Sequence, residues 1–249
     1  MKSLHEDGRV RAIGQTPASA QNVRDHSGVV GNERLTALAG AVLFVLIVVE
    51  LVTVPNLRAL LSVHVVVGVL LAGPLAVKLG STGYRFVRYY TRSPAYVRRG
   101  PPRLALRLLA PLLLALTLVL VGSGIGLVVT GPSRAGPLVF LHGLSTLLWL
   151  PLIAIHVFAY VRRVPRLIAD DARVQSAAQA PGRGPRFGVN LGVLLLGAIA
   201  ALLVLPIAAP WIPWIETAGN GPGPFLIIAG MLVTVLALLA ARPLIGPGG

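Results

Sequence analysis

The stretch LLSVHVVVGVLLAGPLAVKLGSTGYRFVRYYT, residues 60–91, places His64 and Lys78 inside an otherwise apolar run. A second stretch, LHGLSTLLWLPLIAIHVFAYV, residues 141–161, contains His142 and His156, fourteen residues apart. An ionisable side chain is costly in hydrocarbon and usually faces the interior of a helix bundle, so these residues are candidates for a functional site. Imidazole is also a common ligand of metal ions and of haem iron.

The composition predicts an integral membrane protein. Of 249 residues, 55% are hydrophobic and only 12% are charged, and the mean hydropathy is +0.80, far from the values of soluble domains. The absence of cysteine excludes disulfides, thiolate-ligated haem, iron–sulfur clusters and c-type haem attachment. The net charge of +14 comes from basic loops, and we do not expect nucleic-acid binding.

Six apolar stretches are long enough to cross roughly 30 Å of hydrocarbon as helices. The sequence therefore predicts an all-α integral membrane protein with six transmembrane helices, near residues 34–54, 57–79, 107–130, 138–161, 188–208 and 224–241. The turns between hairpin partners are expected at Pro55-Asn56 and around Gly131-Pro132-Ser133.

The distribution of arginine predicts the orientation. Seven arginines lie between Arg85 and Arg107 and six between Arg162 and Arg186, whereas the opposite side carries only Arg58 and Arg134. By the positive-inside rule both termini lie in the cytoplasm and the protein is a multi-pass protein of the cytoplasmic membrane. The basic loops are expected to contact anionic membrane lipids, with docking of another protein as the alternative.

The chain is predicted to divide into four parts. Residues 1–33 are polar and are expected to be a disordered cytoplasmic arm. Residues 34–165 form a four-helix bundle that holds the histidines, and residues 166–187 form a cytoplasmic linker. Residues 188–249 form an accessory hairpin of two membrane helices.

Helix geometry pairs the histidines by depth. Fourteen residues rotate a helix to within about 40° of four full turns and raise it by about 21 Å, so His142 and His156 share a face. His64 and His142 lie at matching depths on neighbouring helices and could hold one metal between them. Lys78 lies fourteen residues after His64, at the depth of His156.

Three roles for Lys78 follow from this position. It could extend to the membrane interface, ligate an inner iron opposite His156, or pair with a haem propionate. Room for a flat macrocycle could come from five glycines in the second and third helices: Gly68, Gly73, Gly122, Gly124 and Gly126. Small residues also serve plain helix packing.

The same residues fit a zinc site, a transporter or a hydrolase only incompletely. His64 and His142 with Glu50 form an incomplete zinc-ligand set, and Glu50 also suits a proton path, a quinol site or a simple interfacial carboxylate. The prolines within the spans show no inverted repeat of the transporter kind. Ser62, Ser123 and Ser145 lack the acidic partner and the motif of a hydrolase.

The two quoted stretches resemble small actinobacterial membrane proteins related to cytochrome b561 and other four-helix b-type cytochromes, over residues 34–165. This resemblance implies non-covalent haem b between the second and fourth helices, with His64, His142 and His156 as axial-ligand candidates, and electron exchange with a quinol or a redox partner protein. A two-haem, bis-histidine member needs four ligands, whereas this chain offers three histidines and Lys78. One haem is expected, and two are allowed.

Beyond Lys78 stand three further candidates for the cofactor site. Tyr84, Arg85 and Arg88 could hold haem propionates, and lipid phosphate competes for the same side chains. A cofactor-free transporter or assembly partner whose histidines handle protons or metal is the alternative function.

Overall fold

The computed structural model describes residues 17–100, 104–173, 182–217 and 223–245, and the regular structure within these ranges is entirely helical. Its α-helices are α1 (Pro17–Thr53), α2 (Leu57–Tyr90), α3 (Pro94–Arg98), α4 (Leu104–Thr130), α5 (Gly136–Tyr160), α6 (Arg163–Ala172), α7 (Arg183–Ala208), α8 (Trp211–Thr217) and α9 (Gly223–Ile245).

Two short turns fold four of the long helices into hairpins. A 3-10 turn at Val54–Asn56 joins α1 to α2, and another at Pro132–Arg134 joins α4 to α5. Each turn has proline at its start, where the missing N–H group would have no helical partner in any case. Gly131 precedes the second turn with a φ of 70°, a conformation that favours glycine. Both predicted turns are confirmed.

The long helices form two layers. In the first layer α1 packs on α2 and α2 packs on α7, and in the second α4 packs on α5 and α5 packs on α9. Helices α7 and α9 thus lie against different hairpins, α7 against α1–α2 and α9 against α4–α5. The layers meet at both ends of the molecule: α6 reaches α1 at one end, and α9 reaches the Val54–Asn56 turn at the other.

Small residues bring the first layer together. A Cβ atom on Gly73 of α2 would lie 2.8 Å from Val193 of α7, and one on Gly197 of α7 would lie 3.3 Å from Leu70 of α2. Such close approach is the usual way in which membrane helices gain packing contacts. Large apolar side chains remain exposed on every long helix, among them Val45, Leu118, Phe140, Leu202 and Met231.

In the described part of the chain, four helical segments are long and apolar enough to cross a membrane: His26–Tyr90, Leu104–Thr130, Gly136–Tyr160 and Arg183–Ala208. A shorter apolar helix covers Ile228–Ala241. Their exposed apolar faces suit contact with lipid, because folded soluble proteins rarely expose large continuous apolar surfaces. The protein is an all-α, multi-pass membrane protein.

Several boundaries differ from the sequence prediction. Helix α1 begins at Pro17 and includes residues 17–33 of the arm that the sequence predicts to be disordered, while residues 1–16 lie outside the described ranges. Helix α2 continues to Tyr90, beyond the predicted end at residue 79. The predicted linker at 166–187 contains most of α6 and the start of α7, and its residues 174–181 lie outside the described ranges.

Ion pairs join these polar segments to one another. The Glu33 side chain, 6% exposed, accepts hydrogen bonds from Arg99 and Arg163 and lies 3.9 Å from Arg85. On α6, Asp171 accepts hydrogen bonds from Arg34 of α1 and Arg186 of α7. Both carboxylates lie at one end of the bundle, which we call the arginine-rich end.

Opposing effects set the proton affinity of Asp171. Burial acts to raise the pKa of its carboxyl, but the hydrogen bonds and charges of Arg186 and Arg34 outweigh burial and hold the pKa below its usual range. The ionised carboxylate therefore joins three helices, α1, α6 and α7. A carboxylate with a depressed pKa in the folded state stabilises the fold at pH values above its unfolded pKa.

We expect Asp171→Asn to lower the free energy of unfolding by about 2–3 kcal/mol, because two buried guanidinium groups each lose a charged acceptor. The stabilisation should be complete above about pH 4, the ordinary carboxyl pKa, and should fall as the pH drops toward the lower folded-state value. Thermal unfolding in detergent between pH 3 and pH 7, followed by tryptophan fluorescence, measures both effects.

The matched control is Asp170→Asn, on the same helix, since Asp170 pairs with Arg173 where both side chains are largely exposed. An exposed ion pair contributes little. Equal losses of stability in the two variants would contradict the role assigned to Asp171.

Candidate functional site

His64 is held by the end of the neighbouring helix. Its Nδ1 atom lies 2.9 Å from the Thr53 hydroxyl and 3.2 Å from Glu50 Oε1. The Thr53 hydroxyl donates its own proton to the Glu50 carbonyl at 2.6 Å, so its oxygen is left to accept from Nδ1–H. This assigns the Nδ1–H tautomer to His64 and leaves Nε2 with its lone pair.

His142 is held in the same manner by α4. Its Nδ1 atom lies 3.2 Å from the Leu120 carbonyl and 3.1 Å from the Ser123 hydroxyl. Ser123 itself donates to the Leu120 carbonyl at 2.9 Å. Because a carbonyl oxygen only accepts, His142 also carries its proton on Nδ1, and its Nε2 has a free lone pair.

The two rings face each other across the space between the layers. Their centroids are 6.4 Å apart and their planes are nearly perpendicular, at 84°. In the described residues, neither Nε2 atom has a hydrogen-bond partner in the protein. We call His64 and His142 the histidine pair, and the end of the bundle that holds them the histidine-pair end.

This separation is the one that two imidazoles on opposite sides of one metal ion would have. A metal–imidazole bond is about 2.0–2.1 Å, and a five-membered ring with bonds of about 1.35 Å places its nitrogen about 1.1 Å from the centroid. Two such rings in line have centroids about 6.2–6.5 Å apart. The perpendicular planes are compatible with that arrangement, because each ring can rotate about its own metal–nitrogen bond.

Two glycines leave space for the side chains of the histidine pair and of Glu50. A Cβ atom on Gly124 of α4 would lie 3.3 Å from Cε1 of His142, and one on Gly68 of α2 would lie 3.3 Å from Glu50 Oε1. Both distances are shorter than ordinary contacts between carbon or oxygen atoms. Side chains at these positions would displace the ring of His142 and the carboxyl beside His64.

The histidine pair lines a cleft that runs between the layers for most of their length. The cleft has a volume of about 3710 Å³ and is also lined by Lys78 and His156. A typical small-molecule site occupies only 300–1,000 Å³, so the cleft has room for more than one molecule at different depths.

Lys78 and His156 lie farther along this cleft, about 21 Å from the level of the histidine pair. The Nζ atom of Lys78 approaches Gly40 of α1, where a Cβ atom would be only 2.9 Å away. The His156 ring packs against Tyr160 with centroids 5.0 Å apart. Neither the His156 ring nor the Lys78 ammonium has a hydrogen bond within the described ranges, which distinguishes them from the histidine pair.

The remaining predicted site residues lie at the arginine-rich end. Tyr84 packs edge-on against Tyr96, Arg88 lies over the same ring at 5.9 Å, and Arg85 approaches Glu33. Burial, followed by the charge of Tyr84, raises the pKa of Tyr96. Tyr84 is twenty residues from His64, which is about 30 Å along α2. These three residues therefore lie far from the histidine pair.

Sequence reasoning missed Thr53 and gave Ser123 no role beside His142. Hydroxyl groups are frequent near helix ends, and nothing in the local sequence marks these two as partners of an imidazole. A metal-binding histidine almost always donates its other N–H to a carbonyl, carboxylate or similar acceptor. Within the ranges that the structure describes, no three His, Cys, Asp or Glu side chains converge on one point.

The chain matches no protein-family model, no curated protein sequence and no solved structure.

Proposed function

We propose that this protein is a membrane-bound b-type cytochrome that holds haem b between α2 and α5, with His64 and His142 as its axial ligands. One observation carries the proposal. Two imidazoles from different hairpins face each other at 6.4 Å, and both use Nδ1 for hydrogen bonds within the protein.

The residues fit the group. A porphyrin supplies four nitrogen ligands to its iron, so the protein needs only two more, one on each side of the macrocycle. The histidine pair supplies two and lies in a cleft with largely apolar walls, which suits a flat apolar cofactor. A zinc site would need more protein ligands than this pair supplies, and Glu50 lies beside Nδ1 of His64 rather than with the Nε2 atoms.

Bound haem would supply one-electron chemistry. The chain's own contribution is to fix the two rings. Thr53 and Glu50 contact Nδ1 of His64, Leu120 and Ser123 contact Nδ1 of His142, and each Nε2 keeps its lone pair. Hydrogen bonding at Nδ1 also makes an imidazole a stronger electron donor. The apolar surroundings keep water from the site, and with ligand identity this sets the reduction potential.

The proposal includes the arrangement in the membrane. Helices α1 and α2 count as two spans because a 3-10 turn separates them, and α9 would be the sixth span. The arginine-rich end would face the cytoplasm with both termini. The histidine pair would then lie near the outer face of a cytoplasmic membrane, where a quinol or a redox partner protein exchanges electrons.

A second haem is the conditional part of the proposal. Lys78 and His156 line the same cleft, but neither has the hydrogen bond that orients a typical ligand. The separation of about 21 Å rules out a shared iron. Tyr84, Arg85 and Arg88 are far from the histidine pair, so as propionate partners they could serve only an inner haem.

One observation favours a different function, proton handling by a cofactor-free membrane protein. Glu50 Oε1 lies 3.2 Å from His64 Nδ1, and its other oxygen, Oε2, is buried without a hydrogen bond in the described residues. A carboxyl next to an imidazole inside hydrocarbon is typical of proton relays. This reading explains His64 but gives no reason for the matching arrangement around His142.

A visible spectrum of the purified protein distinguishes the two functions. We expect a sharp α-band after reduction with dithionite, and we expect His64→Ala and His142→Ala each to abolish it because each removes one axial ligand of the same iron. His156→Ala should leave this band in place.

A colourless protein from haem-replete cells would overturn the cytochrome proposal. Loss of all haem in His156→Ala, with full haem content in His142→Ala, would show that the pairing of the ligands is wrong.

The hydrogen bonds at Nδ1 provide a second test. Thr53→Val keeps the shape of the side chain and removes the hydroxyl that accepts from His64, so we expect haem affinity to fall by about 10–100-fold. Transfer of haem to an excess of apomyoglobin measures this loss.

Thr234→Val is the matched control, because within the described ranges the Thr234 hydroxyl bonds to the Gly230 carbonyl of its own helix and to no histidine. Equal haem loss in both variants would contradict the role of Thr53.

A further inference from the structure

Lys78 is a basic residue inside the bundle without a protein counter-charge in the described ranges. It lies on α2 within the apolar segment His26–Tyr90 and lines the cleft. Its Nζ atom fits against Gly40, where a larger residue would collide with it. An isolated ammonium group is costly in an apolar environment unless an anion or another polar partner accompanies it.

The described carboxylates near this end of the bundle have other partners. Glu33 is bound by Arg99 and Arg163, and Asp171 is bound by Arg34 and Arg186. Glu50 lies beside His64, about 21 Å along α2 from Lys78. The structure therefore places a buried amino group, which an anion would hold in its charged form, where the nearby protein anions are already paired.

Further cations surround the cleft at the same end. Arg107, Arg162 and Arg166 line it, are exposed, and form no ion pair within the described part of the chain. The walls between this end and the histidine pair are apolar and include Leu71, Leu75, Leu147, Leu150 and Ile153. A molecule that fits must combine an anionic head with an apolar body.

We propose that the cleft binds one anionic phospholipid, with its phosphate at Lys78 and its acyl chains against the apolar walls. Basic pockets between membrane helices are a known way of binding acidic head groups. The arginines at the mouth add attraction for the same charge. A soluble anion would satisfy Lys78 but would leave the apolar walls uncovered.

This proposal does not depend on haem at the histidine pair, because the two sites lie at different depths of the cleft. It assigns Lys78 a different partner from an inner haem. It also gives a reason for Gly40, whose missing side chain leaves space for the ammonium group.

The test is native mass spectrometry of the delipidated full-length protein during titration with phosphatidylglycerol or with phosphatidylcholine. We expect the wild type to bind one phosphatidylglycerol at least tenfold more tightly than phosphatidylcholine. Lys78→Met should weaken phosphatidylglycerol binding by about tenfold, as expected for the loss of one charge-assisted contact, and should leave phosphatidylcholine binding unchanged. Lys78→Arg, which keeps the charge, should retain most of the preference.

Arg98→Met is the matched control. It removes one positive charge from the same end of the molecule, but Arg98 is exposed on α3 and does not line the cleft. Gly40→Ala is a second variant that keeps the lysine: its new Cβ atom should displace Nζ and weaken phosphatidylglycerol binding in the same direction. The haem spectrum of each variant, with its elution volume in size-exclusion chromatography, shows whether the protein is folded.

Several results would overturn the proposal. One is equal affinity of the wild type for the two lipids, and another is an equal loss of phosphatidylglycerol binding in Arg98→Met and Lys78→Met. A third is displacement of phosphatidylglycerol by millimolar inorganic phosphate, which would indicate a phosphate-ion site. A second haem per chain that disappears in Lys78→Met would assign the position to an inner haem. Absence of any haem band together with the expected lipid preference would refute the cytochrome proposal alone.

Discussion

An imidazole inside hydrocarbon has no water to satisfy its ring nitrogens, so its partners must come from the protein or from a ligand. In this protein the constraint is met at Nδ1 of His64 by Thr53 and Glu50, and at Nδ1 of His142 by Leu120 and Ser123. The second nitrogen of each ring is left without a hydrogen bond in the described residues. Since the partners come from the adjacent helix of each hairpin, formation of the hairpins is what prepares the site.

The arrangement of the helices keeps the cleft open. Each hairpin gains its third helix from the end of the chain, α7 against α2 and α9 against α5, so tight packing occurs within the layers. Buried ion pairs of Glu33 and Asp171 join the helices at the arginine-rich end. Ion pairs at the arginine-rich end, together with an open cleft between the layers, suit the binding of flat or elongated apolar molecules. Helices α7 and α9 are part of this arrangement.

The positions of the candidate ligands were predictable, because helix geometry fixes depth and face along a span. Counting residues paired His64 with His142, and the rings do lie together. The same counting could not find Thr53, whose role depends on how α1 meets α2. It also could not find the neighbour of Arg85, whose guanidinium lies 3.9 Å from Glu33, an acid about fifty residues earlier in the chain.

The sequence alone determined the membrane character and the two turns, since these depend on local hydropathy and on proline. It also determined the relative levels of His64, Lys78, His142 and His156 along their helices, because the rise per residue is fixed. The tertiary structure decided how Glu33 and Arg34 are paired, since their partners Arg99 and Asp171 lie on distant segments. It also decided which nitrogen of each histidine is free. Hydrogen-bond partners from another helix set that choice, and no local pattern of residues encodes the distance between two helices.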